Sequence, residues 1–162
     1  MPDYGRAVFE AQNLLAESGA GKNGTVNLAT VLRHLDLRAI YGDDMIEEAV
    51  LDPTQETIFV RKDDSPITRK YFSIAHEIGH WVLHTRDRVR PRINFNNGNS
   101  YSKEEIIEEQ EANAFAAELL MPYDEVERLA MAGYSIEDLM RYFNVSYEFA
   151  RYRYIFVVGS SY

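Results

Sequence analysis

Cysteine is absent from the 162-residue sequence, which excludes disulfides, thiolate nucleophiles and thiolate-bound metals. Any metal must be held by His, Asp or Glu, and the composition suits a reducing cytoplasm. Basic residues are scarce: 17 Lys and Arg against 26 Asp and Glu leave a net charge of −9. That balance opposes an open nucleic-acid or anionic-membrane surface, because phosphates are repelled at long range. No run approaches the roughly 18 consecutive apolar residues of a membrane span. The acidic, amphipathic opening MPDYGRAVFEAQNLLAE does not read as a signal peptide. Internal repeats and low-complexity tracts are missing as well. What is present, 46% hydrophobic and 27% charged residues, is an ordinary globular composition with enough length to bury a core.

Residues 4–17 and 26–35 carry helical periodicity and are separated by SGAGKNGT. That insert resembles a phosphate-binding loop only superficially. Lys22 is followed by Asn23 rather than Ser or Thr, and a helix precedes it where a strand is needed. It reads as a plain turn. Three β-rich runs follow, at 37–41, 47–51 and 56–60, with GDD and DPTQ between them. They predict a small three-stranded antiparallel meander and, with the helices, an α+β fold. The Asn144-Val-Ser146 triplet is a glycosylation signal only in a secreted protein.

Ser65-Pro66 has the chemistry of a helix start, Ser as cap and Pro in the first turn. From there Ile67, Tyr71, Ile74, Ile78 and Val82 recur at spacings of three and four, which predicts a core-facing stripe. His76 and His80 are one turn apart, within about 40° of each other around the axis. Their imidazoles can meet one ion at about 2.0–2.1 Å. Glu77 points about 100° away from His76, too far round to be the natural third ligand but able to reach a water on that ion. This is the logic of HExxH: two ligands from one turn and a general base beside them. His84 continues the spacing but lies about 12 Å along the axis from His76, so it is expected to support or pack rather than ligate. His34 has no partner in sequence and reads as a surface histidine.

Five-residue patterns arise by chance, so the site needs a third ligand from a second helix. Residues 103–120, KEEIIEEQEANAFAAELL, form a strong helix opened by a Ser102/Glu105 capping box. Glu104, Glu111 and Glu118 repeat every seven residues and read as a solvated stripe. Glu109 projects roughly opposite, among Ile106, Ala112, Ala116 and Leu120, where an unpaired carboxylate is costly to bury. Glu109 is therefore preferred to Glu105 and Glu111 as third ligand, with Asn113 one turn on and placed to orient a ligand. A His₂Glu set suits zinc; manganese and iron also accept such ligands.

RKYFSIAHEIGHWVLH followed by EQEANAFAAELLMP resembles the ImmA/IrrE family of zinc metallo-endopeptidases, small gluzincin-like proteins of bacteria and their mobile elements. The likeness runs roughly from the N-terminal helices through Pro122. It implies a minimal zincin-like domain, His76, His80 and Glu109 as metal ligands, and Glu77 as the catalytic glutamate. Tyr71 stands where many relatives have arginine, without bearing on the site. The resemblance also implies an endopeptidase, a hydrolase acting on a regulatory protein such as a repressor or antitoxin-like DNA-binding protein. The alternative is a toxin–antitoxin type component, a partner- or DNA-binding module with a structural or weakly active metal site. None of the eleven tyrosines declares itself as oxyanion donor, and residues 56–61 are expected to offer a sheet edge to an extended substrate.

The connector RDRVRPRINFNNGNSYS, residues 86–102, carries four arginines against one aspartate. It reads either as a solvated connector or as a flap recognising an acidic partner. After Pro122 come three short helical stretches, with Ser135 and Ser146 as candidate caps, giving a division into a metallopeptidase domain, 1–122, and a packed helical extension, 123–162. The last two stretches have a helix-turn-helix rhythm that would offer Tyr147, Glu148, Arg151 and Arg153 to a major groove. The acidic charge makes packing the preferred reading and direct nucleic-acid binding disfavoured.

Overall fold

The computed structural model describes residues 1–21, 24–90, 92–93 and 100–159. Lys22 and Asn23, on which the phosphate-loop reading turns, and the Asn/Gly-rich part of the connector, 94–99, lie outside them. Helix α1 (Tyr4–Ser18) starts where the Asp3 carboxylate accepts the Arg6 N–H, and stops at Gly19 in the left-handed region. Helix α2 (Leu28–His34) is capped by Asn27. Strands β1 (Arg38–Gly42), β2 (Ala49–Asp52) and β3 (Thr57–Arg61) come next, then α3 (Ile67–Leu83) and α4 (Lys103–Leu120). Three short helices end the chain: α5 (Tyr123–Met131), α6 (Ile136–Phe143) and α7 (Tyr147–Gly159). No helix among the described residues is long and apolar enough to cross a membrane.

The fold is α+β as expected, but the sheet is not an antiparallel meander. Its order is β1-β3-β2: β2 pairs antiparallel with β3, whereas β1 pairs parallel with it, Arg38 opposite Thr57 through Gly42 opposite Arg61. The most apolar strand takes the centre. Thr57, Ile58 and Val60 are buried, while Ile40 and Tyr41 on β1 are exposed. Because β3 is paired on both sides, residues 56–61 offer no edge to a substrate; the outer strands are β1 and β2.

Helix α3 begins one residue later than Ser65-Pro66 suggests. Pro66 is the cap residue, and the Ser65 hydroxyl is taken by Asp63 instead. The turn from β3 into α3 is clasped by Lys70, whose buried ammonium donates to Asp63 Oδ1 at 2.6 Å and to the Arg61 carbonyl at 3.3 Å. The expected stripe is only partly the core face: Ile78 is fully buried, but Tyr71, Ile74 and Val82 are half-buried and Ile67 is exposed. From Ala75 to Trp81 every residue is buried, because α1, α4 and β2 surround this part of the helix.

Gly79 marks the closest approach of α3 and α4. A Cβ there would stand 3.1 Å from the Phe115 ring and 3.2 Å from the Ala112 backbone. Backbone cannot retreat as a side-chain tip can, so Gly79→Ala should destabilise by about 1–3 kcal/mol despite alanine's better helix propensity. Urea unfolding measures this; an unchanged midpoint would show that the helices can separate freely.

Helix α4 has the Ser102/Glu105 capping box in both directions, but the glutamate stripe is not solvated. Only Glu104 is exposed. Glu111 and Glu118 face neighbouring helices rather than water, since α1 lies along this side of α4. Glu118, 1% exposed, bonds Arg153 of α7 at 2.6 Å and accepts from Gln12 of α1 at 3.2 Å. The Arg153 Nε also donates to the Met121 carbonyl at 2.9 Å. Arg153, read from sequence as a groove-reading candidate, is thus a buried residue joining α7 to α4. Ser135 and Ser146 do cap α6 and α7.

Candidate metal centre

Helix α3 delivers His76 and His80 from adjacent turns, and α4 delivers Glu109 across the close contact at Gly79. The Glu109 Oε1 atom lies 2.8 Å from His76 Nε2 and 3.1 Å from His80 Nε2. All three are buried, at 0%, 3% and 3% exposure, and form a group able to hold a metal ion. The sequence argument singled out these same residues, and the fold brings them together.

The donor set can be tested for fit. The Asn113 carbonyl oxygen is 2.8 Å from His76 Nδ1, so that nitrogen carries the proton and Nε2 is left with a bare lone pair. Facing Glu109 Oε1, that lone pair takes either a proton shared with the carboxylate or, in its place, a cation. Burial favours a neutral Glu109, yet hydrogen bonds with His76 and His80 and from the Ile93 N–H prevail and hold its carboxyl well below the usual range. Burial also lowers the His80 imidazolium, with repulsion from His76 adding to it and the Glu109 hydrogen bond opposing it. Two imidazole nitrogens and a carboxylate oxygen converging on one point are a donor set that a divalent cation binds in place of those shared protons.

Glu77 projects to another side of α3, where its Oε2 accepts the Leu51 N–H of β2 at 3.2 Å. Burial pushes its pKa up to about 8, Arg92 pulls against that, and the Glu109 charge adds to it. Without a cation Glu109 holds charge and Glu77 a proton; a dication held beside them would favour the ionised form of Glu77, the form a general base needs.

His84 is not part of the group. Its Nδ1 is 2.9 Å from His80 Nδ1, its Nε2 is 3.0 Å from Glu111 Oε1, and burial lowers its pKa. His34 sits on the surface, 3.6 Å from Glu17. Sequence reading missed Arg92 and Ile93. The Ile93 N–H donates to Glu109 Oε2 at 2.8 Å, and Arg92 Nε stands 4.0 Å from the same oxygen. Both fall in a connector without periodicity, and its run of arginines was the only available signal. The connector's other arginines have partners within the chain: Arg86 stacks on Trp81, and Arg88 and Arg90 bond Glu108 at 2.8 and 2.5 Å, although Arg86 and Arg88 remain exposed.

An open groove of about 1700 Å³ is lined by Arg92 and Ile93, by Phe72 of α3 and by Phe149 and Tyr152 of α7. Ile93 also lines a small cavity of about 80 Å³ that contains His80 and Glu109, so it stands between groove and ligands.

No curated protein matches the chain. The family described as Peptidase_M78, the IrrE N-terminal-like domain, matches residues 29–154, well over half of the chain and including both ligand-bearing helices. With that span added to the paired histidines and the glutamate facing them, the chain belongs to the ImmA/IrrE (Peptidase_M78) family of metallopeptidases.

Proposed function

We propose that this chain is a zinc-dependent endopeptidase that cleaves a specific regulatory protein, such as a repressor or antitoxin-like DNA-binding protein. His76, His80 and Glu109 hold the ion, and Glu77 is the general base. The observation that carries the reading is a pair of buried carboxyls with different partners, Glu109 against the two histidines and Glu77 beside them on the Leu51 N–H. A purely structural site has no use for the second. A bound zinc ion supplies Lewis acidity, polarising the scissile carbonyl and making water acidic near pH 7. Glu77 takes the proton from the attacking water and returns it to the leaving amine. The Leu51 N–H fixes the carboxylate during both transfers. Asn113 and Ile93 keep His76 and Glu109 aimed inward.

The groove supports a protein substrate. Its lining includes Phe72, Phe149 and Tyr152, and the four glutamates Glu47, Glu48, Glu105 and Glu148 stand against the arginines Arg61, Arg69 and Arg92. The protein's net charge of −9 favours a basic partner, as DNA-binding regulators are.

The test is incubation of the zinc-loaded protein with the product of the neighbouring gene, followed by intact-mass analysis. The expected outcome is one shortened partner, protected when a chelator removes the metal. A partner left whole by protein carrying stoichiometric zinc would sink the proposed substrate class.

A further inference from the structure

The two ligating histidines are supported in different ways. His76 Nδ1 meets an amide carbonyl, which can only accept, so its tautomer is settled by Asn113 alone. His80 Nδ1 meets another imidazole nitrogen, His84 Nδ1 at 2.9 Å, and either of the two could carry the proton. The choice is made one step farther out. Glu111 Oε1 lies 3.0 Å from His84 Nε2, and a carboxylate accepts. In neutral His84 the proton is then on Nε2 and Nδ1 becomes an acceptor. His80 must donate from Nδ1, which leaves its Nε2 bare and directed at Glu109 Oε1, 3.1 Å away.

We infer that Glu111, acting through His84, is the positioning element that locks His80 in its metal-binding tautomer; this rests on the metal-site reading above. The chain of contacts is anchored. Glu111 Oε2 accepts the backbone N–H of Asp3 at 2.7 Å, so the segment that caps α1 also holds this carboxylate. Glu108, the other carboxylate near His84, is held by Arg88 and Arg90 and stays 3.8 Å from Nδ1. It does not compete for the proton. His84 and Glu111 touch no reacting atom, and their work is orientation, as in carboxylate–histidine–metal chains.

Zinc affinity, by competition with a chromophoric chelator, and the visible absorption of the cobalt(II)-loaded protein read this out without reference to activity. His84→Leu should weaken zinc binding about 10–100-fold and alter the cobalt bands. Glu111→Leu, at the periphery of the chain of contacts, should act in the same direction and serves as a second readout should His84→Leu lower the metal-free melting temperature. His84→Asn should restore affinity, because its Oδ1 occupies the place of Nδ1 and accepts from His80 as Asn113 accepts from His76. Unchanged zinc affinity and cobalt bands in both leucine variants would overturn the proposal. So would an asparagine variant as weak as the leucine, since bulk rather than an acceptor would then be the requirement. A wild-type protein that takes up no zinc removes the metal-site reading, and this one with it.

Discussion

Glu77→Gln should lower kcat/KM for peptide cleavage by about 10²–10⁴-fold while leaving zinc content at the wild-type level. The substitution keeps the shape of the side chain and can still face the Leu51 N–H with its amide oxygen. It removes only the ability to accept and return a proton. None of His76, His80 or Glu109 touches the altered atom in the contacts around the site. Loss of metal along with activity would place Glu77 among the ligands, and undiminished cleavage would take it out of the chemistry. The same variant has a pH signature in metal-free protein. The folded-state pKa of Glu77 is raised to about 8 from the 4.5 of an unburied glutamate. The folded protein therefore holds a proton that the unfolded chain releases between those values, so this group's contribution is full below pH 4.5 and is lost as pH rises through 8. Glutamine has no such dependence. Metal-free Glu77→Gln should be more stable than wild type at pH 8 and lose that advantage at pH 4, as thermal melts at the two pH values will show.

The second large effect concerns Arg153. Replacing it with methionine should cost about 3–5 kcal/mol in urea unfolding, because Glu118 is left charged and buried without its partner. The ion pair is 7% and 1% exposed on its two sides and has a 2.6 Å contact, with the Met121 carbonyl and the Tyr123 N–H completing the shell. Changing both residues, Arg153→Met with Glu118→Leu, should recover most of the loss, since a matched apolar pair removes the stranded charge. A cost below about 1 kcal/mol for the single change would mean the guanidinium is hydrated, as a surface pair is. That outcome would also reopen Arg153 to a nucleic-acid role.

The metal centre was legible because its rule is local. A helix fixes the direction of a side chain relative to one four residues away, so His76 and His80 declare a shared face with no knowledge of the fold. Glu109 was legible through cost, as a carboxylate set among alanines. The same helix misled at Glu111 and Glu118. A seven-residue stripe states that the positions share a side, but whether water or another helix lies there is decided by α1 and α7. Strand order failed for a similar reason. Runs and turns mark where β1, β2 and β3 are, but not that the chain passes β1 on to the far edge before returning β3 to the middle. Arg92 and Ile93 belong to a segment with no period at all, and only the fold shows them beside Glu109.

The amide of Ile93 decides how much of Glu109 remains for a cation. One carboxylate oxygen accepts that peptide N–H, which favours the other as the oxygen turned to a cation. A bidentate carboxylate would help close the coordination sphere and turn the centre into a rivet for two helices. Monodentate binding preserves a vacancy where solvent and then a carbonyl can enter. A single main-chain hydrogen in a connector, outside every motif, thus biases this carboxylate toward the arrangement a catalytic centre would need.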